Sequence, residues 1–230
     1  MTTTTSINVP HKTPTPMSGK VAAAASLVFA FCFFWTVASV NVPHDATDAE
    51  LLTWWQESDN RLSGTVSCFF AIGAAVAFAV VVGHVRRLPG FVASPAWSTF
   101  ARSMGAAFTA TLLVSAALRG VISHQVDHLD QPLPSIDVLR YSTALNYILI
   151  GVPVMAALAL TIVAISVVTL RTAALRRWTA YVGLGVSALI LAAVSVQMGA
   201  YAIALSLLWA FCLSIALARQ TTTTYNSERG

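Results

Sequence analysis

Charge is what this sequence lacks. Only 10% of its 230 residues are Asp, Glu, Lys or Arg and 57% are apolar, with a mean hydropathy of +0.73, whereas a soluble domain is roughly a quarter charged. A chain so poor in charge is an integral membrane protein. Cysteine is scarce too: Cys32, Cys68 and Cys212 all lie within apolar runs, with no CxxC pair and no zinc spacing. Buried thiols are the reading for all three. P-loops, dinucleotide fingerprints and nucleophilic triad patterns are absent, and His84 is the one histidine at its end of the chain's helices, so no haem or other cofactor is implied. The net charge of +4 does not point to nucleic acid, because the basic residues flank apolar runs and form no patch on a soluble domain.

What is present is a series of long uncharged runs. Spans are expected at about 21–40, 65–83, 103–122, 144–170, 178–196 and 200–218, each long enough as a helix to cross a hydrocarbon core of about 30 Å. The first run is too long for a cleaved signal segment. The fourth exceeds a bilayer's need, and Pro153 after Gly151 predicts a kink. Residues 178–218 must fold back once, at Gln197, Met198 and Gly199. Disordered polar tails are expected at 1–19 and 220–230, flanking a six-helix membrane domain over 20–219. The fold class is therefore an all-α, polytopic six-span bundle.

Orientation follows from the segment Arg171–Tyr181. Arg171, Arg176 and Arg177 sit in one short loop, with Trp178 entering the next run, and such a loop stays cytoplasmic. With both termini cytoplasmic, the inner segments hold ten basic residues against one carboxylate, net +9, and the outer segments three against eight, net −5. The protein is expected in the cell (plasma) membrane.

The outer segments hold the polar chemistry. Thr47 and Glu50 have capping-box spacing and predict a short amphipathic helix in the first outer loop, with Trp54 and Trp55 as interfacial anchors. An aromatic cage is the sharper alternative. In the second outer loop His124 and His128 are four residues apart with Asp127 beside them; with His44 they have the donor types of a divalent metal site. A solvated loop is the plainer account, since no HExxH spacing is present. Arg119 is expected to snorkel to the interface. Ala71, Ala75 and Ala79, with Gly73 and Ala77, and the pair Gly105 and Thr109, form small-residue helix faces. Asn146 and Tyr147 are expected to pack against neighbouring helices.

The stretch TLRTAALRRWTAYVGLGVSALILAAV, with AELLTWWQESDNRLSG ahead of a small-residue helix, resembles an uncharacterised group of actinobacterial six-span membrane proteins. Arg176 stands where that group often has proline. The resemblance implies the same six-span fold and carries no activity to any residue.

Three roles follow. The first is a structural or accessory protein, whose partners are the bilayer and other membrane proteins or a second copy met through the small-residue faces; it rests on the absence of any deep ionisable residue and of any catalytic constellation. The second is a small-solute transporter, for which a polar cleft holding Asn146 or Tyr147 would be the sign. The third is a membrane enzyme or metal-dependent sensor using His44, His124, Asp127 and His128.

Overall fold

A segment crossing lipid must satisfy its own backbone, because no water is there to pair N–H and C=O groups, and a helix does so within one segment. The structure, a computed structural model describing residues 19–39, 42 and 46–227, turns each apolar run into helix. The first 18 positions of the expected tail, and His44, lie outside the described residues. In chain order the elements are α1 (Gly19–Ala38), α2 (Asp48–Gln56), α3 (Ser58–Val85), α4 (Pro89–Val92), α5 (Pro95–Asp127) and α6 (Ile136–Leu149). A π turn (Ile150–Val154), α7 (Met155–Thr172), α8 (Arg177–Ser195), a 3-10 turn (Gly199–Ala202) and α9 (Ile203–Ser227) complete the chain. Six stretches are long and apolar enough to cross a membrane. The chain is an all-α, multi-pass membrane protein with no strand among the described residues.

Several helices outrun the expected spans. α3 and α5 begin at Ser58 and Pro95 rather than 65 and 103, because a helix need not stop where the hydrocarbon does and proline at the first helical position favours an early start. α9 likewise continues through Ser227, so residues 220–227, expected as tail, have helical backbone. The break at Pro153 takes the form of the π turn: proline has no N–H to offer the preceding turn, and the backbone accommodates the gap by widening. The fold-back falls where expected, with Gln197 at φ 60°.

The six spans pack as a closed ring in chain order: α1 on α3, α3 on α5, α5 on α7, α7 on α8, α8 on α9, and α9 back on α1. Phe29 and Phe33 from α1, Phe78 from α3 and Phe108 from α5 plug its middle, each at most 1% exposed. Phe78 and Phe108 have centroids 4.5 Å apart, Phe29 and Phe78 5.0 Å. On the outside Phe31, Phe69, Val76 and Phe211 are all more than half exposed, as lipid-facing side chains are. Two serines tie α1 to α9, Ser26 Oγ donating to Ala210 O at 2.8 Å and Ser214 Oγ to Ala23 O at 3.0 Å. Of the small-residue row, Ala71, Ala75 and Ala77 are buried inside the chain's own bundle and Ala79 is exposed.

Alternation of the spans sorts the charges. The acid-rich segments meet at one end, where Arg61 Nε donates to Asp127 Oδ1 at 2.8 Å and Arg140 pairs with Asp48. At the opposite end the Arg171 guanidinium carbon lies 5.7 Å from the Trp97 ring centroid, a cation–π contact.

Candidate functional site

On α5, Ser115, Arg119 and Ser123 recur every four residues and so share one helix face. That face looks into the bundle: the three are 1%, 7% and 1% exposed. The expected snorkelling of Arg119 is therefore corrected. Its Nη1 donates to Ser67 Oγ on α3 at 2.8 Å and to the Thr36 carbonyl of α1. Ser67 Oγ donates to the same carbonyl at 2.7 Å. Thr36 lies in the last turn of α1, where carbonyls lack helical partners and the helix dipole is negative. A cation is drawn inward there, and the three hydrogen bonds clasp α1, α3 and α5 together.

The clasp uses only one nitrogen of the guanidinium. Nε is buried and has no partner, and among the described residues no carboxylate forms an ion pair with Arg119. The residue lines a cavity of about 230 Å³ at the acid-rich end of the bundle. Trp55 from α2, Ser142, Thr143, Asn146 and Tyr147 from α6, and Tyr201 in the 3-10 turn supply other parts of its wall. It is not sealed, since Tyr201 is 64% exposed. Further along α1, α3 and α5 from Thr36, Ser67 and Arg119 lie the buried rings of Phe29, Phe33, Phe78 and Phe108.

The polar residues around this cavity are the N–H bearers Arg119, Trp55 and Asn146 and the hydroxyls of Ser142, Thr143, Tyr147 and Tyr201. Trp55 is 5% exposed and its indole Nε1 has no partner. Asn146 Oδ1 accepts from Ser115 Oγ at 2.6 Å, which leaves its amide nitrogen for other contacts. Thr143 Oγ1 is already committed to Leu139 O at 2.9 Å. Trp55 is held by its neighbours Leu51, Ile122 and Leu139, while Trp54 meets it edge to face at 4.8 Å. The helix that carries them starts with the expected capping box: Glu50 N donates to Thr47 Oγ1 at 3.4 Å and Thr47 N to Glu50 Oε2 at 2.8 Å.

The metal candidates do not converge among the described residues. His124 and His128 are neighbours, with ring centroids 5.4 Å apart, but Asp127 is turned to Arg61. No group of three His, Cys, Asp or Glu suited to a metal occurs among the described residues. Arg176 is the residue before α8 and Arg177 its first, and both are exposed with Arg171 and Trp178. The three thiols are free and half-buried.

Sequence reasoning named Asn146 and Tyr147 and missed Arg119 as a site residue. The missed signal was the serine four residues to each side, which marks an inward polar stripe rather than a residue reaching for water. No family model matches this chain, and no curated protein or solved structure matches it either.

Proposed function

We propose that this is a solute-binding protein of the plasma membrane, with both termini cytoplasmic and a binding cavity open to the outside. The carrying observation is the cavity of about 230 Å³ holding Arg119 and Asn146. The orientation is supported by the charge sorting, which puts the cavity end opposite the Arg171 loop. α2 is an interfacial helix whose Trp55 forms part of the cavity wall. The buried cluster of Phe29, Phe33, Phe78 and Phe108 further along the bundle fits one-sided binding or the outward-facing state of a small-solute carrier rather than a channel.

An accessory or structural role is less well supported. It rested on the absence of a deep ionisable group, and Arg119 is buried within the bundle near its acid-rich end; it also relied on small-residue faces that are largely occupied within the bundle. Membership of the actinobacterial six-span group, suggested by residues 49–64 and 169–194, adds topology and no activity. The test is accessibility in intact cells. A Thr143→Cys variant should react with a small membrane-impermeant thiol reagent, whereas Ile162→Cys, at a position fully buried among α7 and its neighbours, should not. A folded Thr143→Cys protein that stays unreactive overturns the reading.

A further inference from the structure

We infer that the ligand of this cavity is an oxyanion, a carboxylate or phosphate ester on a short apolar stem, and that Arg119 holds it. The inference rests on the solute-binding reading and adds the ligand's chemistry. Arg119 and Trp55, both more than nine-tenths buried, line the same cavity; Arg119 Nε and Trp55 Nε1 are sealed from it, and of the guanidinium nitrogens only Nη1 is hydrogen-bonded. The Asn146 amide adds further N–H groups, its oxygen being taken by Ser115. A buried donor left unmade costs most of its lost hydration, and more when it is charged. A group that only accepts, and carries negative charge, matches a wall on which Arg119 is the one charged side chain and the Asn146 amide nitrogen is left over. A cationic ligand would be repelled, and a neutral one would leave the guanidinium uncompensated.

The clasp on Thr36 is a structural use of the same side chain, but it accounts for Nη1 alone. Val37, Leu118 and Ile150 on the remaining wall offer an apolar surface, which suits a few carbons behind the charged head. The same chemistry has two sources: a small anion from the aqueous side, or the head of an anionic lipid entering between helices.

The experiment uses the full chain carrying Thr143→Cys in phosphatidylcholine nanodiscs, with labelling of the native thiols subtracted. Three methanethiosulfonate reagents are compared, bearing a sulfonate, a trimethylammonium or a plain methyl group, each rate normalised to free cysteine. The sulfonate reagent should react about tenfold faster than the ammonium one, because Arg119 is the one charged side chain on the cavity wall and a cation in a cleft concentrates anions locally. Inorganic phosphate or benzoate should protect the thiol if the ligand comes from water, and phosphatidylglycerol in the nanodisc should do so if it comes from lipid. Adding Arg119→Gln should abolish both preference and protection. If that variant does not fold, the ratio with Arg119 intact decides. Equal rates, a faster ammonium reaction, or a sulfonate preference that none of the three anions reduces overturns the oxyanion inference while leaving the solute-binding reading in place. Silence from all three reagents, the methyl one included, overturns both.

Discussion

Gly199 stands where the α8–α9 turn meets the π turn, and replacing it with alanine is the sharpest steric perturbation in the fold. A Cβ at position 199 would lie 1.8 Å from the Gly151 carbonyl oxygen and 2.9 Å from its carbonyl carbon. Both are backbone atoms, so no side-chain rotation relieves the clash; the two turns must separate by more than about 1 Å to reach ordinary contact. Overpacking of a closely fitted interior costs about 1–3 kcal/mol, and rigid backbone on both sides puts this case at the upper end. A chain of this size loses about 2–4 °C of melting temperature per kcal/mol, so Gly199→Ala should melt on the order of 5–10 °C lower in detergent. The control is Gly185→Ala in α8, where a Cβ meets nothing within 4 Å. There the only change is relief of glycine's helix cost of about 1 kcal/mol, and melting should hold or rise. Because Ala200 and Tyr201 belong to the cavity wall, Gly199→Ala should also alter the labelling rate at Thr143→Cys. Melting of Gly199→Ala within about 1 °C of the Gly185→Ala protein would refute the close approach of the two turns.

Further expectations concern the acid-rich end. Hydrogen bonds from the Thr47 backbone and then its hydroxyl hold the Glu50 carboxyl below its ordinary value of 4.5. A depressed carboxyl stabilises α2 fully above that ordinary value and loses the effect as pH falls through the lowered one. Amide protection of residues 48–56 should therefore decline on acidification in the native chain and show no such decline in Glu50→Gln; Thr47→Ala should weaken the helix by about 1 kcal/mol by the same measurement. Asp127→Asn should cost about 1–2 kcal/mol, between surface and buried pairs, since Arg61 is 11% exposed and Asp127 33%; zero coupling in a double-mutant cycle with Arg61→Met would remove the pair from the account. Because Asp127 is engaged by Arg61, His124→Ala/His128→Ala should leave the metal content of the purified protein unchanged by elemental analysis, and a fall would restore a site involving the two histidines.

The spans were legible because lipid imposes a length and forbids charge, two constraints that composition alone displays. The same logic placed the fold-back at Gln197–Gly199, since 41 uncharged residues cannot be one crossing. The capping box was legible because Thr47 and Glu50 are three residues apart and their bonding is local. Helix ends were not, because nothing in Ser58 or Pro95 says that a helix extends past the hydrocarbon. The fate of Asp127 was not legible either: its partner Arg61 is 66 positions away, and only packing of α3 on α5 brings them together. The cavity depends on still more distant coincidences, with Trp55, Arg119 and Asn146 drawn from three helices.

Arg119 is the case in which the hydropathy argument gave the wrong surroundings from a right count. Three basic residues belong to the acid-rich end, and two of them, Arg61 and Arg140, take carboxylates there. Arg119 is held instead by neutral oxygens inside the ring. A buried guanidinium without a counterion is a poor stabiliser, and apolar replacements of buried ions are commonly neutral or better. The Thr36 carbonyl would keep its bond from Ser67 at 2.7 Å if the arginine were removed. Arg119→Met, close in length and flexible enough to fill the space, should therefore melt near the native protein, with a loss of at most about 1 kcal/mol for the missing hydrogen bonds, while losing all protection by anions. If Arg119→Met instead lost several kcal/mol, the arginine would be a structural clasp first, and its unpaired nitrogen a by-product of holding α1 in place.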